Sequence, residues 1–525
     1  MIPGFIAAAL VFGAIAAGIL GLILGAELEP QRAVGAYTLN IVAFTVVQAT
    51  LSTVLSVGLA IPAARALARR RAFLGRGPLV SLLALPMVVP PIVGVLAIVE
   101  IWGRAGLVSG AAGLLGLDVT IDVYGLVGIL LAHVFFNMPF ATRMLLQAWA
   151  TIPGEHWRIA HQLGLSGPAV FRFVEWPSLR RTVPSAAALV FLLCFTSFAI
   201  VLALGGGPPN ATLEVAIYQA VRFDLDFGLA LVLAAIQIAV CAVVLTTVAR
   251  LQKTAPLGLG IDPSADRPDL ENRWGRIGDG VAIGLVASVL LVPLAAIAIA
   301  GLTGPVADAL ARPALWQAAA RSLTVAVATG VLAVVLGCAL VAAIRDLRVR
   351  QHRMRLAGGL DAASSLVLVV PPFVMAAGWF LLLRPVVDVF AYGLVLVMTA
   401  NVLAALPFVV RVVGPAALAS HERTWRLADS LGMRGLRRLY LVDWPDLRRP
   451  IGLGFGIAAA LAFGDLGVIA LFGTGETETL PLYLYQLLGA YRVGEAAVVA
   501  LLLVTCCLGL FVLGDRVIGR TRRMA

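Results

Sequence analysis

Trp157-Arg-Ile-Ala-His-Gln-Leu-Gly164 and, farther on, Val174-Glu-Trp-Pro-Ser-Leu-Arg-Arg181 decide how this chain is organised, because both recur downstream as Trp425-Arg-Leu-Ala-Asp-Ser-Leu-Gly432 and Val442-Asp-Trp-Pro-Asp-Leu-Arg-Arg449. The spacing is 268 residues throughout, and 157–181 aligns with 425–449 without a gap, with 12 identities in 25 positions. Asn137-Met-Pro-Phe-Ala-Thr-Arg143 answers Ala405-Leu-Pro-Phe-Val-Val-Arg411 at the same offset. Pro90-Pro91 answers Pro371-Pro372, and Thr212-Leu213 with Tyr218-Gln219 answers Thr479-Leu480 with Tyr485-Gln486. The chain is an internal duplication.

What surrounds the duplicated segments sets the solvent. With 61% hydrophobic residues, 13% charged residues and a mean hydropathy of +0.99, the chain has more apolar surface than one water-soluble shell can hide. Apolar stretches of spanning length fall near 4–26, 40–64, 79–103, 124–148, 183–204, 228–249, 280–302, 317–344, 361–383, 391–413, 451–472 and 495–514, which predicts about twelve transmembrane helices. Six precede the segment 250–279, whose prolines Pro256, Pro263 and Pro268 and acidic residues give it the composition of a linker, and six follow it. Residues 1–249 and 280–525 are then two six-helix repeats, and an even helix count puts both copies in the membrane the same way round.

The formal net charge of +11 follows from insertion rather than from nucleic-acid binding. With the N-terminus inside, 32 of the 39 Lys and Arg residues fall in inner loops or at the C-terminus, so both termini are expected to be cytoplasmic. The apolar N-terminal stretch lacks the basic start of a cleaved signal peptide and is expected to stay as a membrane helix. The five cysteines lie in apolar segments without metal-ligand spacing, so neither disulfides nor a metal or other cofactor is expected.

The duplicated segments lie in inner loops, where something cytoplasmic can read them. Trp157, Ala160, Leu163 and Gly164 alternate with Arg158, His161 and Gln162 at near-helical spacing, which predicts a short amphipathic helix in each repeat. Gly164 suits either a close backbone approach or a turn. A helix that merely lay on lipid would need charge and an apolar face. It would not need the same Trp, Ala, Gly, Trp-Pro and Arg-Arg at fixed spacing twice, whereas a twofold-related partner would.

At these residues the chain resembles the inner-membrane permeases of binding-protein-dependent ABC importers, all-α membrane proteins with MetI-like repeats. Their loop motif, Glu-Ala-Ala, three residues, Gly, nine residues, Ile, one residue, Leu-Pro, is matched by Arg158-Ile159-Ala160, Gly164, Val174 and Trp176-Pro177, and again by Arg426-Leu427-Ala428, Gly432, Val442 and Trp444-Pro445. Arg replaces Glu both times. The resemblance implies that Trp157, Arg158, Ala160, Gly164, Trp176 and Pro177, with Trp425, Arg426, Ala428, Gly432, Trp444 and Pro445, dock against an ATP-binding subunit. Two copies of that subunit are expected per permease chain, with a periplasmic substrate-binding protein on the other side.

Within that family the likeness is closer to the thiamine permeases, on Phe191-Leu-Leu-Cys-Phe-Thr-Ser-Phe-Ala-Ile-Val-Leu-Ala-Leu-Gly-Gly-Gly207 and Gly464-Asp-Leu-Gly-Val-Ile-Ala-Leu-Phe-Gly473. Ferric-iron permeases share the fused layout and are the alternative. Outer segments 205–227 and 473–494, with Glu214, Asp224, Asp226, Glu476 and Glu478 near Arg222 and Arg492, and Glu495 next in the chain, are expected to meet the binding protein.

Asp465 lies well inside the eleventh helix, where an ionisable group is costly enough to suggest function. Its repeat counterpart is Ser197. Asp465 with Ser197, Phe198, Phe463, Tyr218 and Tyr485 forms the expected substrate pathway, the carboxylate and rings suiting a passing cation, although a helix-packing hydrogen bond would also account for Asp465. An ion-coupled secondary carrier would need buried carboxylates or broken helices of this kind, but would leave the twin loops without a purpose. ATP hydrolysis by the chain itself is excluded, since a phosphate loop needs Gly-Lys-Ser/Thr and the sole lysine, Lys253, follows Gln252.

Overall fold

A computed structural model describes residues 2–25, 35–104, 106–114, 116, 122–251, 273–433 and 435–518. All regular structure among these is helical. Eleven helical stretches among the described residues are long and apolar enough to cross a membrane. The first half is built on α1 (Ile2–Gly25), α2 (Ala36–Arg69), α3 (Pro91–Trp102), α4 (Leu126–Ala150), α5 (Gly154–Gln162), α6 (Trp176–Phe195), α7 (Ala199–Leu204), α8 (Leu213–Gln219) and α9 (Phe227–Leu251). The second half is built on α10 (Arg273–Thr303), α11 (Pro313–Val349), α12 (Pro372–Leu383), α13 (Gly393–Ser430), α14 (Trp444–Phe463), α15 (Gly467–Phe472), α16 (Leu480–Gly489) and α17 (Val493–Leu513).

Two of the expected uninterrupted crossings are broken. The 79–103 stretch divides into Arg76–Leu82 and α3, and the 361–383 stretch into Met354–Ser365 and α12. The reason is the paired prolines. Pro91 and Pro372 have no N–H to donate, and the residue before each is held extended, with ψ of 138° at Pro90 and 143° at Pro371. The 183–204 and 451–472 stretches also break, between α6 and α7 at Thr196–Phe198 and between α14 and α15 at Gly464–Leu466.

The halves are interlocked through their first helices. α1 packs on α11 and α12 of the second half, and α10 packs on α2, α3 and α4 of the first. At the α1–α12 crossing a methyl on Gly21 would collide with the Gly378 carbonyl, and one on Gly378 with that of Gly18. Backbones this close need small residues, the usual device of helix packing in lipid. Trp379 in α12 donates its indole N–H to the Ala14 carbonyl at 2.8 Å. On α10, Asp279 is buried and accepts from Arg70 at 2.8 Å, with Arg69 at 3.5 Å. The sequence reading placed Asp279 in the linker; helix α10 instead begins at Arg273, because its carboxylate closes an ion pair with α2. Most of the predicted linker, 252–272, lies outside the described residues.

Several polar side chains inside the first half bond across helices. Gln48 donates to the Cys194 carbonyl at 2.9 Å, Asn137 to Cys194 Sγ at 3.2 Å, and Ser52 Oγ lies 2.8 Å from His133 Nδ1. Two such bonds are related by the duplication. The Leu213 N–H, at the start of α8, donates to Thr45 Oγ1 at 3.0 Å, and the Leu480 N–H, at the start of α16, to Ser322 Oγ at 2.8 Å. The repeated Thr-Leu pair thus marks two helix starts pinned to the second helix of each half.

Candidate functional site

The repeated loops form two arms on the arginine-rich face. In the first, α4 ends at Ala150, Pro153 stands extended (φ −60°, ψ 142°), and α5 starts afresh at Gly154. Trp157 and Ala160 are buried while Arg158 and Ile159 point out, so α5 is amphipathic as expected. Its end is closed by Gly164 at φ +60°, whose N–H reaches the His161 carbonyl while the Leu165 N–H reaches the Ala160 carbonyl, both at 3.0 Å. This left-handed cap satisfies carbonyls that the helix end would orphan. Nothing lies within 4 Å of the place where a Cβ would project, so the glycine serves a turn and not a close approach within the chain.

The second arm differs. Its expected separate helix does not exist: α13 runs unbroken from Gly393 to Ser430 and carries Trp425, Arg426 and Ala428 on its last turns. His421 stands where the first arm has Pro153, so no missing N–H interrupts the hydrogen bonding. The cap is nevertheless the same, with Gly432 at φ +64°, its N–H on the Asp429 carbonyl at 3.0 Å and the Met433 N–H on the Ala428 carbonyl at 2.8 Å. Both arms return through a wide turn, Phe171–Glu175 and Leu439–Asp443, into a helix opening with Trp-Pro, at Trp176-Pro177 and Trp444-Pro445.

Four apolar positions on each arm are presented outward in register. Ile159, Leu163, Phe173 and Trp176 match Leu427, Leu431, Leu441 and Trp444 at the 268-residue offset, and all eight are between 40% and 68% exposed. Arg158 and Arg426 are exposed beside them. Trp157 is buried, whereas Trp425 is half-buried with the Arg426 guanidinium 5.5 Å from its ring centre.

Beneath each patch is an ion pair that the motif reading missed. Glu175, fully buried, accepts from Arg65 Nε at 2.6 Å and from the Trp149 indole at 3.1 Å. Asp443 accepts from both terminal nitrogens of Arg345 at 2.8 and 2.7 Å. The signal was present: Glu175 and Asp443 are the one acidic position kept in both aligned segments.

The second group of predicted residues meets where the halves touch. Phe198, at the α6–α7 break, stacks on Phe373 in the first turn of α12, with centroids 5.0 Å apart and planes 19° apart. Tyr218 meets both edge-on, at 5.3 and 6.2 Å. Across the duplication, a Cβ on Gly464 at the α14–α15 break would come within 2.7 Å of Pro90 Cγ. Each break of a fifth helix therefore abuts the proline break of the other half's third helix. Ser197 and Asp465 are partly accessible there, as are Tyr218 and Tyr485. Asp465 Oδ1 accepts the Gly467 N–H at 3.0 Å, Oδ2 is enclosed, and the Asn401 side chain and the Val468 N–H lie beside the same carboxylate. Phe463 does not join them, being fully buried in the core.

On the opposite face the expected acidic rim is smaller than predicted. Asp224, Asp226 and Glu476 are exposed, but Glu214 is buried and accepts from Gln237 at 3.0 Å. Glu478 is also buried, which pushes its carboxyl up from the ordinary value while Arg321 opposes the shift. Arg492 and Arg312 both pair with Glu495.

The family description "binding-protein-dependent transport system inner membrane component" matches residues 56–254. The thiamine transport system permease proteins ThiP of Salmonella typhimurium and of Escherichia coli are each 42% identical to this chain, over 99% of it and 97% of their own length. This chain belongs to the ThiP permease family. The ThiP protein of Brucella abortus is likewise 42% identical, over 91% of this permease and 88% of its own length. The permease is thus a multi-pass inner-membrane transport subunit rather than an enzyme, of a family that works with ATP-binding and substrate-binding partners. The broken helices and the enclosed carboxylate, which a secondary carrier could also have used, belong here to an ABC permease.

Proposed function

We propose that this permease carries thiamine or its phosphates from periplasm to cytoplasm, driven by ATP hydrolysis on two copies of a separate subunit that dock on its two arms. Both termini then face the cytoplasm, and 1–249 and 280–525 act as the two repeats of one translocation unit, with one permease chain per complex. The observation that carries the docking is the register of the patches: the same glycine cap, Trp-Pro helix start and four exposed apolar positions occur twice, 268 residues apart. A single chain so built presents one surface to each member of an ATPase pair. Ser197, Phe198, Asp465, Tyr218 and Tyr485 line the substrate path in this reading. The substrate assignment rests on the relatives' identity over nearly the full chain.

The test is a transport assay in proteoliposomes holding the permease, its ATPase and its binding protein, offered thiamine, thiamine phosphates, ferric iron and polyamines. ATP-dependent accumulation confined to thiamine and its phosphates is expected. Accumulation of ferric iron instead would move the permease to the other fused branch.

A further inference from the structure

We propose that Arg222 and Arg384 form a latch that holds the two halves together on the face opposite the arms, and that it must open before a substrate can enter between them. Each arginine comes from one half and lies on an aromatic ring of the other. The Arg222 guanidinium stands 5.0 Å from the centre of the Phe390 ring, and the Arg384 guanidinium 5.4 Å from that of Phe227. Arg222 also donates to the Gly473 carbonyl, just past the end of α15, at 3.4 Å. The latch rests on the import reading for its use, but its contacts stand apart from it.

Both partners are loops closed by their own hydrogen bonds. Between α8 and α9 the Asp226 N–H reaches the Ala220 carbonyl at 2.9 Å, and Asp226 Oδ1 accepts the Leu229 N–H at 2.9 Å in the first turn of α9. Between α12 and α13 the Val386 and Val387 N–H groups reach the Leu383 carbonyl at 2.9 and 3.0 Å, and the Phe390 N–H reaches Asp388 Oδ1 at 3.1 Å. Loops so closed move with the helices they join, so parting the halves breaks the two Arg–Phe contacts together. Phe390 meets Phe380 of α12 at 5.9 Å, edge-on, and Phe380 lies 6.4 Å from Phe472 of α15, which joins the latch to the broken helix of the second half. Arg222 is half-buried and Arg384 exposed, so water takes the place of the rings on opening and no charge is stranded. An arginine over a ring at a solvated site favours the closed arrangement by about two- to fivefold, weak enough for a docking partner to release.

The sequence marks these four residues twice. Nearly all basic residues are kept off this face, so an arginine here needs a local reason. The duplication also leaves the four unrepeated. At the spacing of the repeated Tyr-Gln pairs, Arg222 and Phe227 fall on Gly489 and Gly494; at that of the repeated Pro-Pro pairs, Arg384 and Phe390 fall on Gly103 and Ser109. The other side of the twofold has none of these side chains at the matching positions, so the fastening is one-sided and opening is asymmetric.

The experiment measures the distance between nitroxide labels on Asp224→Cys and Val386→Cys, exposed positions on the two loops, by pulsed electron paramagnetic resonance on the full-length permease in lipid nanodiscs. A water-soluble label is used, since the five native cysteines lie within α6, α9, α11 and α17. Arg222→Met with Arg384→Met keeps length and apolar packing while removing the charge, and should raise the parted population about tenfold. The half-saturating concentration of binding protein for stimulated ATP hydrolysis should fall by up to the same factor, because more of the permease is already open. Phe227→Leu with Phe390→Leu should match the methionine pair, and lysine at both arginines should keep most of the closed population. An unchanged distance distribution in the methionine or leucine pair, or a lysine pair as open as the methionine pair, overturns the latch. Parted loops with an unchanged half-saturating concentration would instead count against the import reading and leave the latch standing.

Discussion

Arg345 grips Asp443 through two parallel hydrogen bonds, tying the second helix of its half to the wide turn that leads out of the arm. Arg65 and Glu175 make the matching connection in the other half. A motion of the arm is in this way carried to a spanning helix by a charged strut. Removing Arg345 leaves the enclosed Asp443 with only Arg438, 4.0 Å away, where loss of a whole partner costs up to about 3–5 kcal/mol. Arg345→Ala should therefore lower substrate-stimulated ATP hydrolysis at least tenfold in the assembled complex, with Arg345→Lys intermediate because it cannot bind bidentately. Stimulation at the wild-type level in Arg345→Ala would show that the strut is dispensable.

The glycine caps are tested by backbone conformation alone. Gly164 and Gly432 have left-handed φ and open space around the Cβ direction, so a β-branched residue meets strain of about 1–2 kcal/mol without any collision. Gly164→Val or Gly432→Val should reduce copurification of the ATPase, while Asn at either position retains most of it, since Asn tolerates this region. A valine variant that captured the ATPase as well as the asparagine variant would remove the cap from the docking surface.

Leu163 and Leu431 occupy equivalent outward positions. Leu163→Asp or Leu431→Asp should each weaken ATPase association, and the double variant should lose it, measured by native mass spectrometry. The wild-type complex should contain one permease and two ATPase chains. Two permease chains per complex would contradict the one-chain reading.

At the α1–α12 crossing, Gly378→Val places methyls against the Gly18 carbonyl. Overpacking of this kind costs about 1–3 kcal/mol, so the variant should unfold several degrees lower in a detergent thermal scan. A Val335→Ile control on the exposed face of α11 separates seam from general packing. Equal midpoints for Gly378→Val and the wild type would show that the crossing relaxes.

How much of this was legible in the sequence depends on what kind of signal each feature leaves. The duplication, the apolar stretches and the paired loops were readable because repetition and hydropathy are local properties. The breaks at Pro90-Pro91 and Pro371-Pro372 were visible as residues but were absorbed into hydrophobic windows that ignore a missing N–H. The loss of a separate second-arm helix hung on one substitution, His421 in place of Pro153, whose effect reverses a local expectation carried over from the first repeat. Glu214 looked like rim charge because nothing local announces Gln237 as its partner. Phe373 was overlooked because its importance comes from Phe198, a long way off in sequence.

The seat of α1 has a consequence for biogenesis. The bond from Trp379 to Ala14 joins residues 365 positions apart. At a synthesis rate of about 5–20 residues per second, the opening helix must wait about 20–70 s in the bilayer before its neighbour emerges. Throughout that interval its glycine face is turned to lipid or to an insertase. The protein's vulnerable period is thus set by translation, and slowing the ribosome in the second half should expose nascent chains to membrane proteases long before any transport function exists to be lost.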